Sequence, residues 1–107
     1  MQHPGLAAGR WFSLSLAEQL GNVGSEVSRA VRWKGKDISL FDKAIIRALE
    51  LLDLTLSDAR WKKRLKELAR LRELLCDAWF DGKEHGTQLQ DLDRYLLDFA
   101  IVARRKI

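Results

Sequence analysis

Proline cannot continue a helix or take part in an inner strand, and this chain of 107 residues has one, Pro4. From Ser15 onward apolar residues return every three or four positions in four runs. The first holds Leu16, Leu20, Val23, Val27, Ala30 and Val31, and the second Phe41, Ala44, Ile45, Ala48, Leu49, Leu51 and Leu52. The third holds Trp61, Leu65, Leu68, Leu75 and Ala78, and the fourth Leu89, Leu92, Leu96, Phe99, Ala100 and Ala103. This is the spacing of amphipathic helices, and no strand pattern competes with it. Four such helices with short connections predict an all-α, antiparallel up-down four-helix bundle. The expected helices cover 15–33, 39–55, 59–80 and 88–104. They follow a flexible arm over 1–10, after which Trp11 and Phe12 dock on the body.

Capping chemistry supports these bounds. Ser15 and Glu18 form a capping-box pattern, with a weaker one at Ser39 and Asp42 and another at Thr87 and Gln90. Asp37 or Ser39 opens the second helix and Ser57 or Asp58 the third, while Asp81 and Gly82 supply its exit. Gly21 and Gly24 are costly inside a helix, at about 1 kcal/mol each relative to alanine. With Ala17 and Ser28 they form a ridge of small side chains, which implies close approach by another helix or, alternatively, a ligand or partner resting there.

The third run is also the most basic. Seven of the thirteen residues from Arg60 to Arg72 are Lys or Arg, and only Glu67 opposes them. In an up-down bundle this start of the third helix shares a pole with the N-terminus of the first and the end of the fourth, which gathers Arg10, Arg60, Lys62, Lys63, Arg64, Arg104, Arg105 and Lys106. Lys62, Lys63 and Arg64 stand where a helix dipole disfavours cations, so the cluster points to a polyanion such as RNA or DNA. Lys66 and Arg70 extend it along the outer face. Arg72 differs, because it projects within about 20° of Trp61, inside the apolar stripe. It requires a buried ion pair, with Glu26, Glu50, Asp53 or Tyr95 as partner, or a bound anion. Leu74, Phe80, Leu97, Ile101, Ile46 and Leu54 point away from the expected core. Leu97 and Ile101 are one helical turn apart, and with Leu74 and Phe80 they suggest an oligomer interface.

Other chemistry is missing. His3 and His85 are not at helical metal-ligand spacing, Glu50 and Asp53 form a single carboxylate pair, and no Gly-rich phosphate loop is present. One cysteine, Cys76, cannot form an internal disulfide, and no apolar run approaches the length of a membrane span or signal peptide. A cytoplasmic, non-enzymatic protein without cofactor or metal is expected.

The segments LAEQLGNVGSEVSRAVRWK (16–34), RALELLDLT (47–55) and RLKELARLRELL (64–75) resemble those of an uncharacterised family of short bacterial four-helix-bundle proteins, a resemblance that implies the fold and no activity. In architecture the chain is also similar to the HEPN-type helical partners of minimal nucleotidyltransferases. The ribonucleases of that group carry Arg-x(4 to 6)-His, but here the matching positions before His85 are Ala78, Trp79 and Phe80. In size and charge it resembles basic bundles of the ribosomal-RNA intervening-sequence and reverse-transcriptase accessory type. These resemblances imply an accessory role beside a polymerase, reverse transcriptase or nucleotidyltransferase. The expected function is a self-associating bundle that binds RNA or DNA through its basic pole, the alternative being a pure protein-interaction subunit.

Overall fold

A computed structural model describes residues 9–105, and among them it shows helices and turns but no strand. After a helical turn at 9–11 come α1 (Leu16–Trp33), α2 (Ile38–Leu56), a 3-10 segment (Ala59–Arg64), α3 (Leu65–Trp79) and α4 (Leu89–Arg104). The capping box at Ser15 forms in full, the hydroxyl accepting from the Glu18 amide and the Glu18 carboxylate accepting from the Ser15 amide. Asp37, not Ser39, caps α2 by accepting from the Leu40 amide at 3.0 Å.

Cross-helix contacts fix the up-down topology. Along α1 and α4, Gly21 faces Ala100, Gly24 faces Leu96, and Ser28 donates to Asp93, so the two run antiparallel. Arg72 meets Asp53 and Trp79 meets Asp42, which sets α3 antiparallel to α2. Helix α1 packs closely on both α2 and α4, whereas α3 rests mainly on α2 and only lightly on α4. The core contains Leu20, Val23, Val27, Ile45, Ala48, Leu52, Leu68, Leu75, Leu89 and Leu96, all nearly inaccessible to solvent. Burial of each such leucine contributes about 1.5–3 kcal/mol.

The glycine ridge serves packing. A Cβ on Gly21 would stand 3.1 Å from the Ala100 Cα, and one on Gly24 would stand 2.9 Å from the Leu96 Cβ. The two glycines let the backbone of α4 approach α1, which offsets their intrinsic helix cost.

Several expectations change. The third helix is not α-helical from 59: Asp58 caps a 3-10 segment, and Trp61 has non-helical dihedrals (φ −102°, ψ 23°) before α3 begins at Leu65. This break rotates the stripe, so Leu65 is 40% exposed and Leu71 is buried in its place. Leu54 is buried and Leu74 half-buried against the core, so neither points fully outward. Glu26, a candidate partner of Arg72, is instead buried beside Arg29 at 3.0 Å and Arg47 at 3.7 Å. The Thr87 capping box does not form, because the Thr87 amide donates to Asp77 and Gln88 holds the cap position without a side-chain bond. Trp11 docks in the core, but Phe12 stays exposed and Gly9 to Trp11 form a helical turn where an arm was expected. The rest of the expected arm, residues 1–8, lies outside the described residues, as does Lys106.

The exit of α3 is organised by Asp77. Its carboxylate accepts from the amides of Glu84, His85 and Thr87 at 2.9, 3.2 and 3.0 Å. Burial alone would push its pKa up, but these hydrogen bonds, those from Thr87 first, outweigh it and hold the group at about 2. Asp81 takes the left-handed position (φ 62°) that ends the helix, and the Gly82 amide returns to the Asp77 carbonyl at 2.8 Å.

Candidate nucleic-acid interface

The floor of the basic pole is a buried polar network. Gln19, on the apolar face of α1, donates to the Trp11 carbonyl at 2.9 Å and to the Asp58 carboxylate at 3.0 Å, and accepts from the Trp61 indole at 3.0 Å. The Trp11 indole donates to Thr55 Oγ1 at 3.2 Å. The Gln19 side chain thereby ties α1 to the turn at 9–11 and to the 3-10 segment with its cap, and Trp11 carries the network on to α2. The non-helical turn at Trp61 accompanies this arrangement, bringing the indole to Gln19 rather than along a helical stripe.

Arg60 closes the network from above. It donates to both Asp58 oxygens (Nε to Oδ1 at 3.0 Å, Nη2 to Oδ2 at 2.7 Å) and to the Leu14 carbonyl at 2.6 Å, and its guanidinium lies 4.4 Å from the centre of the Trp61 ring. The Arg60 hydrogen bonds hold the buried Asp58 carboxyl at about 2 against the opposing effect of burial, with Gln19 assisting. The same bonds raise the Arg60 pKa above the usual arginine value.

The expected cations therefore divide. Arg60 is committed to Asp58, Arg64 to Glu67 at 2.7 Å, and Arg70 to Glu73. Lys62, Lys63 and Lys66 are exposed and have no ion pair among the described residues, and the same holds for Arg10, Arg104 and Arg105. Antiparallel packing brings Arg10, the 3-10 segment and the end of α4 to one end of the bundle. Lys62, Lys63 and Arg64 form the last turn of the 3-10 segment, where a helix end favours cations, immediately before α3, where it does not. Their opposition to the local field is thus weaker than a continuous α-helix would make it.

Arg72 is settled. It grips Asp53 with two bonds, Nε to Oδ1 at 2.6 Å and Nη2 to Oδ2 at 3.3 Å, and approaches Cys76 Sγ at 3.7 Å. Its side chain keeps 38% of its surface exposed and that of Asp53 keeps 53%, so the pair sits at the rim rather than in the core. No anion is needed there.

Among the residues expected at an oligomer interface, Phe80 (62% exposed) and Leu97 (51%) stand open with Ile101, whereas Leu74 turns toward a recess of about 380 Å³ between α3 and α4. The described residues contain no cluster of three or more His, Cys, Asp or Glu that could hold a metal, and no helix long and apolar enough to cross a membrane.

The Gln19–Asp58 network was not anticipated. A glutamine three residues after Leu16 on an apolar face was its available signal, since a buried amide must be fully hydrogen-bonded. No protein-family model, curated protein or solved structure matches the chain. The site is therefore read from its own residues.

Proposed function

We propose that the protein is a non-enzymatic accessory bundle that binds an RNA or DNA backbone through its basic pole, self-associates, and assists an enzyme that acts on nucleic acid, such as a polymerase, reverse transcriptase or nucleotidyltransferase. One observation carries the reading: Lys62, Lys63, Lys66, Arg104 and Arg105 are exposed cations with no carboxylate partner among the described residues. Placing unpaired like charges together is unfavourable in the free protein, and binding to phosphates with release of counterions offsets it. Arg60, Arg64 and Arg70 shape the surface more than they bind, since each is already paired.

For roughly four phosphate contacts, affinity should fall about 100-fold between about 50 and 200 mM salt. Lys62→Glu with Lys63→Glu should abolish binding and leave the melting temperature unchanged. Fluorescence anisotropy with labelled RNA and DNA measures the first effect, and circular dichroism the second. Absence of binding by the wild type at 50 mM salt sinks the reading. The exposed Leu97, Ile101, Val102 and Phe80 favour the second reading, a pure protein-interaction subunit, which predicts that same absence.

A further inference from the structure

A groove runs beside the glycine ridge between α1 and α4, with a volume of about 300 Å³. Arg29, Arg32 and Arg104 line it, with Asp93 and Ser28 on the opposite helices bonded to each other across it. Arg29 is held by Glu26, while Arg32 and Arg104 are exposed with no ion pair among the described residues. The groove is a product of the same two glycines that let α4 approach α1. From Gly21 to Arg32, α1 rises about 16 Å, so the cations are spread along the groove rather than crowded at one point. Arg104 belongs to both features, since it stands at the basic pole and also enters the groove.

We propose that this groove is the track of a single-stranded nucleic acid whose backbone passes from the basic pole, by way of Arg104, to Arg32. This deepens the preceding reading and rests on it. The volume is near the lower limit for a site that encloses a small molecule, so the occupant proposed is one backbone laid along the groove, not a duplex seated in it. Asp93 keeps its negative charge while it accepts from the Ser28 hydroxyl, and the two exposed arginines, Arg32 and Arg104, outnumber it along the groove. No aromatic side chain lines the groove. The strand is therefore held by its phosphates with little preference for base, unlike a stacking platform.

The test compares three proteins: the wild type, the pole variant Lys62→Glu/Lys63→Glu, and the groove variant Arg32→Gln/Arg104→Gln. Each is titrated by anisotropy with a twelve-nucleotide RNA, its DNA equivalent and a twelve-base-pair duplex across a salt series. The groove variant should melt like the wild type, lose at least about tenfold in single-strand affinity, and lower the salt slope by about 1.4, which is about 0.7 for each of two lost contacts. Its duplex affinity should fall less, because of the two residues only Arg104 belongs to the pole that a duplex also meets. Unaltered single-strand binding, or equal losses for single strand and duplex, overturns the groove assignment while the pole reading stands if the pole variant fails to bind. If the wild type binds none of the three at 50 mM salt, both readings fall.

Discussion

At the residue scale the pole depends on Asp58. It is a cap, an acceptor for Gln19 and the counter-ion of Arg60, all from a carboxylate that is almost fully buried. Its folded pKa, about 2, lies below the ordinary value of 3.8. The stabilisation it gives is therefore complete above about pH 4 and is lost as pH falls toward 2, where the folded carboxylate takes up its proton. Asp77 has the same sign and the same window. Asp58→Asn keeps the shape but removes the charge, and should cost about 2 kcal/mol at pH 7, the scale of hydrogen bonds to a charged group. That corresponds to a fall of roughly 10 °C in melting temperature. The cost should shrink as the pH is lowered from 4 to 2, because the wild type loses the same charge. Thermal melts of both proteins across that range check it; a constant difference would show that Asp58 does not titrate as described. Arg72 was legible as an anomaly from its angle alone, but its choice of Asp53 was not, since four partners lay on neighbouring faces. Asp58 was legible as one of two caps and not as a hub, because its partner Gln19 acts through a fold that sequence spacing does not supply.

At the scale of elements, α1 is the helix that the others surround, and its glycines set how near α4 can come. Gly24→Ala adds a methyl carbon where the nearest atom, the Leu96 Cβ, is 2.9 Å away. Overpacking of this kind costs about 1–3 kcal/mol, and the gain in helix propensity returns about 1 kcal/mol. The expected net loss is about 1 kcal/mol, read as a lower urea midpoint at unchanged m-value. A gain in stability would mean that α4 can recede, and that the ridge is not a packing device. Glycines in a helix that tolerates their cost made this contact legible in advance, though not the identity of α4 as the neighbour. The start of the third helix was less legible. Periodicity through Trp61, Leu65 and Leu68 suits an α-helix, but the Asp58 cap and the pull of Gln19 on the Trp61 indole favour a 3-10 turn there. Tertiary hydrogen bonds outweighed the local pattern.

At the scale of the molecule, the apolar residues left outside the core decide whether the bundle stands alone. Leu97, Ile101 and Val102 are 51%, 38% and 52% exposed on the second half of α4. Leu97 and Ile101, one turn apart, can meet the same pair of a second copy across a two-fold axis, the commonest symmetry of soluble oligomers. The orientation follows from charge. A parallel pair of α4 helices would bring Arg104 and Arg105 of each copy face to face, whereas an antiparallel pair meeting at Leu97 and Ile101 keeps the two Arg104 residues about 15 Å apart along the axis. The antiparallel pair is therefore favoured, and it would offer two basic poles whose linkage strengthens binding to a long strand, with Leu97 shared between the dimer contact and the edge of the groove. A stable interface buries about 800 Å² on each partner, more than three side chains supply, so the dissociation constant should be on the order of micromolar rather than nanomolar. Light scattering should show the mass rising above 12.3 kDa as concentration passes through the micromolar range. Leu97→Glu with Ile101→Glu should return it to the single-chain value at unchanged helicity, because both residues are exposed in the isolated bundle. A wild-type mass that stays at the single-chain value up to about 100 μM, far above a micromolar constant, would sink self-association and leave each basic pole to act alone.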